Sequence, residues 1–452
     1  MKRRIISVVH FLGMVFFVQF IAVGQTSEID SLRKLLIKDK DDTNKVNHLT
    51  NLARKILYSN SDSAVLLTTQ ALQLAEKQNW KPGIANSYYL LTASKYLMAD
   101  IPNALVYANK ALTIYEQLKD KSGKVKITSL LGLIYERQAN YSKALDYHSQ
   151  ALKVDEELGD KSGAAIDLGN IGIVYIDQGD YARALDNFFK ALSLAEKLGN
   201  KEVISQNLSD IGMVYDKQAN YTKALDYYFK TLKINQEIND RYRTAINLGN
   251  IGLVYFNQHD YNKALDYYFK ALKISREVGD TNSISRHLGN IGELYYDQGD
   301  YAKALSFYTD AFKITQELGD KYASSFWQGS IGKLYIKLGR FKEAEIELKR
   351  SIMLADSIKA TDNARQFEEI ISQLYDTTGK YNLALAHYKK AMILKDTIFN
   401  QEKNKEITRK ELNYEFEKKE ALTKTEQEKK DAQAKRVKNQ QYFIIGALGL
   451  IV

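Results

Sequence analysis

The chain repeats itself every 40 residues. Shifted by that amount, Gly132, Gly172, Gly212, Gly252, Gly292 and Gly332 superpose, and so do Tyr135, Tyr175, Tyr215, Tyr255, Tyr295, Tyr335 and Tyr375. A second aromatic series runs Tyr141, Tyr181, Tyr221, Tyr261, Tyr301, Phe341, Tyr381, and an alanine series runs from Ala144 to Ala384. A pattern kept over so many copies restricts the fold severely. Each unit must adopt the same substructure and bury its apolar face against its copies, so the chain grows as a linear array.

The spacing within one unit states what that substructure is. Leu168, Ile171, Gly172 and Tyr175 fall at i, i+3, i+4 and i+7, one face of a first helix. Gly179 then ends it and Asp180 caps a second helix, whose inner face is Tyr181, Ala184, Leu185, Phe188, Ala191 and Leu192. The small residues let helix axes approach closely, and the tyrosines are expected to fill gaps between neighbouring units. Only two prolines occur in 452 residues beside 31 tyrosines, a composition that favours helix and argues against a sheet protein.

A small residue and an aromatic on a first helix, followed by Tyr-x-x-Ala-Leu and a later alanine on a second, resemble the tetratricopeptide repeat. The resemblance covers residues 43–400 as about nine units and is sharpest in units three to seven. Thr92 and Lys95 stand where glycine and tyrosine are expected, as befits an atypical terminal repeat. The period is 40 rather than 34, and the usual proline after the second helix is missing. The added residues are Leu-Gly-Asp-Lys-Ser-Gly at 158–163, so the chain is similar to the 40-residue subclass used in protein-binding scaffolds. The resemblance implies an all-α fold, a right-handed α-solenoid superhelix with a concave groove lined mainly by first helices. A lead-in helix over 25–42 is expected before it.

The two ends differ from the array. Lys2, Arg3 and Arg4 precede an apolar run from Ile5 to Val23, and Ala22-Val23-Gly24 supplies small residues for cleavage, so residues 1–24 read as a signal peptide; an uncleaved membrane anchor is the rival reading. Residues 401–440 carry twelve Lys/Arg and nine Asp/Glu and read as a solvated, salt-bridged helix. Ile407, Tyr414 and Ala421 are seven apart, a weak heptad that admits a homodimer. From Tyr442 to Val452 no residue is charged, which predicts the start of a transmembrane helix or a short tail packed on a partner. Together these features predict an exported chain at the periplasmic face of a bacterial inner membrane, tethered by its C-terminal apolar segment.

The formal charge of +9 invites a nucleic-acid reading. Three of those charges sit at Lys2, Arg3 and Arg4, and 401–440 supplies three more, twelve minus nine, so the array carries only +3 and no concentrated basic face is expected. With no cysteine there is no disulfide, thiolate metal site or cysteine nucleophile. His10, His48, His148, His259, His287 and His387 are scattered without metal-ligand spacing. Leu-Gly-Asn-Ile-Gly at 168–172 lies within a helix and recurs, unlike a phosphate loop. No catalytic residue, cofactor or metal is predicted.

What remains is the stripe of the first helix opposite its packing face, residues 166, 170, 173 and 177 and their equivalents every 40. These are Ile166, Asn170, Ile173, Asp177; Gln206, Asp210, Met213, Lys217; Ile246, Asn250, Leu253, Asn257; and Arg286, Asn290, Glu293, Asp297. An amide both donates and accepts, so a ladder of amides beside apolar positions can pair with the backbone of an extended peptide. The plain alternative is a set of solvated helix residues or Asn–Asn contacts between units. Two functional readings follow. One is a non-enzymatic, membrane-tethered scaffold for a protein or peptide. The other, from a layout resembling bacterial receptors, is the sensory region of a transmembrane histidine kinase, nucleotide cyclase or serine phosphatase whose catalytic domain lies beyond residue 452.

Overall fold

A computed structural model describes residues 22–399, apart from 58, 59 and 99. A lead helix α1 (Ala22–Lys38) precedes nine helix pairs. The first four are α2 and α3 (Thr43–Ile56, Ser61–Lys77), α4 and α5 (Lys81–Leu97, Ile101–Leu118), α6 and α7 (Lys121–Arg137, Tyr141–Leu158), and α8 and α9 (Lys161–Asp177, Tyr181–Leu198). Next come α10 and α11 (Lys201–Lys217, Tyr221–Glu237), α12 and α13 (Arg241–Asn257, Tyr261–Val278), and α14 and α15 (Thr281–Asp297, Tyr301–Glu317). The array continues with α16 and α17 (Lys321–Lys337, Phe341–Ser357), then α18 (Thr361–Thr377) and the helical residues 381–399, here α19. Among the described residues there is no strand; from α2 to α17 each helix packs on its pair partner, and each second helix packs also on the next pair's first helix. The molecule is an all-α solenoid.

The regularity comes from the turns. From residue 100 to residue 320 every twentieth residue is Asp or Asn, and each accepts a hydrogen bond from a backbone N–H in the first turn of the helix it precedes. The residue before each cap, at every twentieth position from 119 to 379, is left-handed, with φ between +54 and +81. Its hydrogen bonds complete a Schellman turn: Gly179 N–H donates to Ile176 O at 2.9 Å and Asp180 N–H to Tyr175 O at 2.8 Å. The turn inside a unit and the turn between units are therefore the same device, and 40 is twice a 20-residue module. At Arg340 and Ala360, near the end of the array, the side-chain cap is lost.

Packing explains the repeated glycine. A Cβ on Gly172 would lie 2.7 Å from the ring of Phe188, sixteen residues on; Gly212 meets Tyr228 at 2.8 Å, Gly252 meets Tyr268 at 2.7 Å and Gly292 meets Tyr308 at 2.8 Å. Each glycine seats the fully buried aromatic of its partner helix. In unit two the arrangement is inverted: Thr92 is buried at the glycine position and its counterpart sixteen later is Ala108. Tyrosines of the Tyr135 series stack on the second helix of their own unit, Tyr135 on Tyr147 at 5.4 Å, Tyr255 on Tyr267 at 5.5 Å and Tyr295 on Phe307 at 5.6 Å, and they also join clusters that span two units, as Tyr135 does with Val174 and Tyr215 with Ile251 and Val254.

The expected location is corrected. No helix among the described residues is long and apolar enough to cross a membrane, so the predicted anchor at the periplasmic face of an inner membrane has no support. The helices of the array are apolar on one face only, because the other faces water; α11, for instance, buries Ala224, Tyr228 and Thr231 while Lys223 and Lys230 stay exposed. The signal-peptide reading of 1–24, the charged helix with its heptad over 401–440 and the apolar run at 442–452 fall on residues outside the described ones, save the start of α1.

Candidate peptide-binding groove

First helices form the inner side of the curve. Their backbones approach one another directly, α4 to α6, α6 to α8, α8 to α10, α12 to α14 and α16 to α18, and no pair of consecutive second helices comes as close. Second helices meet through long side chains instead, as Phe189 and Tyr227 do with ring centroids 6.5 Å apart. These helices carry a packing seat that sequence reasoning missed, the glycine of Leu-Gly-Asn at 249 and 289 and its counterpart Gly329 in Gln-Gly-Ser. Gly249 lies against the ring of His287, Gly289 against Trp327 and Gly329 against Phe367, each 38 residues later on the next first helix. At Gly169 the facing group is only Asn207 Oδ1, 3.6 Å from where a Cβ would stand. The motif is thus a helix-packing seat, and its recurrence beside a buried position 38 later was the available signal.

The predicted ladder lies along these helices at one height per unit. Asn170, Asn250 and Asn290 are half-buried. Asn250 and Asn290 make no side-chain hydrogen bond among the described residues, whereas the Asn170 amide stands beside the buried Asp167 carboxyl and favours its charged form. Asp210 is buried and accepts from the Gln206 amide at 3.1 and 2.9 Å; burial pushes its carboxyl up to about 7 against the pull of that amide. The ladder is therefore not uniform. Asn250 and Asn290 stand open in units six and seven, Asp210 is taken by Gln206, and Asn170 lies beside a buried carboxyl.

The second rung is a charged seam at the ends of the same helices. Asp177, Lys217 and Asn257 are half-buried and Asp297 is exposed. Burial lowers the Lys217 ammonium, and Asp177 and Asp216 oppose that shift. Asp216 is raised to about 6 by burial against the opposing pull of the Asn257 amide and the Lys217 charge. Glu136, one unit earlier, is held well above the usual carboxylate range by burial and then by the Asp177 charge. Asp297 is raised by desolvation and by Glu293, which itself lies 3.5 Å from Lys333. The structure thus joins Asp177, Lys217 and Asn257 across three units and adds Glu136 and Asp216, which the stripe at 166, 170, 173 and 177 did not include. Asp216 precedes Lys217 on its helix, so a wider stripe would have caught it.

Five overlapping stretches, 125–197, 164–237, 203–277, 243–317 and 283–357, match the model of the tetratricopeptide repeat. Together they span 125–357, just over half of the 452 residues. The chain belongs to the tetratricopeptide-repeat family.

This tetratricopeptide array matches no curated protein sequence. Its fold is similar to that of several solved structures. A Rap protein complexed with competence and sporulation factor shares 17% identity over 80% of this chain and 100% of that one, with a TM-score of 0.53. A signal-transduction ATPase with a tetratricopeptide-repeat sensor from Pyrococcus horikoshii shares 18% over 79% of this chain and 54% of that one, with a TM-score of 0.56. The apo quorum sensor NprR from B. thuringiensis shares 15% over 78% and 99%, with a TM-score of 0.53. Such identities establish the fold alone.

The histidines of the tetratricopeptide array serve packing and local hydrogen bonds. His148 and His287 are buried, His48 Nδ1 lies 2.8 Å from Asp39, and His387 contacts Glu368. Among the described residues no three His, Asp or Glu side chains are arranged to hold a metal.

Proposed function

We propose that this tetratricopeptide array is a non-enzymatic scaffold that captures an extended peptide segment of a partner along its first helices. The observation that carries the reading is the pair Asn250 and Asn290, half-buried amides at equivalent heights on α12 and α14 with no side-chain partner. A peptide backbone is the ligand whose donors and acceptors repeat regularly enough to satisfy such a pair. Ile246 and Leu253 flank Asn250 and supply apolar contact for side chains of the peptide. Two proteins of similar fold point the same way, since one was solved with competence and sporulation factor and another is a quorum sensor.

The test is a peptide array probed with the full chain and with the Asn250→Ala, Asn290→Ala double variant. Each lost amide removes hydrogen bonds worth about 1 kcal/mol, so the variant is expected to bind roughly tenfold or more weakly, with an unchanged circular dichroism spectrum. Equal binding by both proteins would exclude the amides as the capturing groups. A second reading, the sensor region of a larger signalling protein, is favoured by the similarity to an ATPase whose sensor is a tetratricopeptide array. It keeps the same groove and adds an output domain, which the complete coding sequence would reveal.

A further inference from the structure

One junction in the array is built unlike the others. Between units three and four, His148 and Asp155 of α7 meet Asp167 of α8, and all three are buried, at 0%, 3% and 2% exposure. One repeat later the equivalent residues are Phe188, Ala195 and Asn207; then Tyr228, Asn235 and Asn247; then Tyr268, Ser275 and His287; then Tyr308, Thr315 and Trp327. No other described junction places a carboxyl at any of these three positions.

The groups facing this cluster are few. α6 contributes Ser129, whose hydroxyl donates to Asp167 Oδ1 at 2.8 Å, and Gly132, against which the His148 ring is seated. α7 contributes His148, with Nδ1 3.9 Å from Asp167 Oδ1, and Asp155, seated on Gly163. The turn before α8 adds the charge of Asp160, and α8 adds Asp167 and Asn170. No lysine or arginine is ion-paired with either buried carboxyl among the described residues. Asp155 Oδ2, Asp167 Oδ2 and both His148 nitrogens lack a hydrogen-bond partner, and the two carboxyls lie near enough for each to act on the other's protonation. Two buried carboxyls side by side without a cation favour a form in which at least one keeps its proton.

We propose that the Asp155, Asp167 and His148 cluster makes the junction of units three and four a proton-sensitive hinge, closed while the buried carboxyl pair holds a proton and loosened when it leaves. Loss of the proton leaves a second negative charge in a packed seam that holds no cation to offset it. The acid–base properties agree. Burial and the neighbouring acid raise Asp167 to about 8 and Asp155 to about 6, while burial lowers His148 to about 3, so the imidazole is neutral and cannot neutralise the pair. Asn170 lies one helical turn from Asp167 and acts on its charge, so the hinge also reaches the first amide of the ladder. That last link rests on the groove reading given above, and the hinge itself does not.

The sign of the pH effect follows from linkage. A carboxyl raised in the folded state binds a proton that the open state releases, so closure is lost as pH rises towards 8. His148 acts in the opposite sense only below its ordinary value of 6.5, which leaves the window from 6.5 to 8.5 to the carboxyls. Asp210 and Asp216 in unit five are also raised, so the readout must be local. Hydrogen exchange of the full chain, followed by mass spectrometry and corrected for intrinsic exchange, provides it. Opening of residues 141–177 is expected to rise by roughly tenfold per pH unit from 6.5 to 8 and to level off above, while residues 321–357 do not follow. A triple variant, His148→Phe, Asp155→Ala and Asp167→Asn, installs the residues the chain itself uses one repeat later, and it should show equal protection of 141–177 at both ends of the window. If its opening fails to form a folded array, Asp167→Asn alone replaces it with the same expectation. Protection of 141–177 that is independent of pH in the wild type, or a rise that persists in the variant, overturns the hinge.

Discussion

Gly172 and Phe188 are two halves of one contact: a Cβ on the glycine would stand 2.7 Å from the ring of a phenylalanine with no exposed surface. Gly172→Ala should therefore destabilise the array by about 1–3 kcal/mol, because the ring has nowhere to retreat. Phe188→Ala alone should cost about 3–5 kcal/mol through the cavity it leaves. The double variant should cost clearly less than the sum, since the added methyl enters the space the ring vacates. Urea midpoints followed by circular dichroism would measure the coupling, and strict additivity would contradict the paired packing.

Glycines that look alike in sequence should respond oppositely. At Gly169 a Cβ would meet only Asn207 Oδ1 at 3.6 Å, an ordinary contact, so Gly169→Ala is expected to stabilise helix α8 by about 0.5–1 kcal/mol. At Gly289 the same change collides with the indole of Trp327, which is nearly buried. Gly289→Ala should lower the unfolding midpoint and red-shift the Trp327 emission as the ring is forced outward. Trp80, the second tryptophan, is removed by a background Trp80→Phe substitution.

The left-handed turn positions offer a gain. Ala139 and Ala219 each adopt φ of 56, where glycine carries no steric penalty. Ala139→Gly with Ala219→Gly should raise stability by about 1 kcal/mol in total, detectable as a higher melting temperature. A decrease would mean that the turns tolerate alanine without strain.

Exposed ion pairs should contribute little. Lys201 and Glu237 lie 2.8 Å apart with roughly half of each side chain in water. Lys201→Ala should change stability by less than about 0.5 kcal/mol at physiological salt. A larger loss would show that these pairs, which recur as Lys121 with Glu157, brace the units.

Much of the fold was legible because the informative residues are those whose size or backbone freedom packing demands. Tyr175, Ala184 and Ala191 mark the helix faces, and Gly179 with Asp180 marks a turn whose helix begins at Tyr181. Contacts between first helices were less legible, since Gly169 and Gly289 have the same local sequence and differ only in the residue 38 positions on. The predicted ladder names side chains by height on a helix, which spacing can give. Whether a rung is open or taken, as Asp210 is by Gln206 four residues before it on α10, depends on side-chain geometry that spacing does not give. The expected membrane location drew on terminal segments rather than the repeats, and the described helices do not support it.

The identical turns have an evolutionary corollary. Since each helix from Ile101 to Lys337 carries its own start signal, a duplication of 40 codons beginning at a loop within that stretch would insert one complete unit, with both new junctions already compatible with their neighbours. The near identity of Tyr221-Thr-Lys-Ala-Leu-Asp-Tyr-Tyr-Phe-Lys230 and Tyr261-Asn-Lys-Ala-Leu-Asp-Tyr-Tyr-Phe-Lys270 is what such a copying event leaves behind. A lineage of these chains can lengthen or shorten its binding surface in whole steps while each remaining rung keeps its geometry.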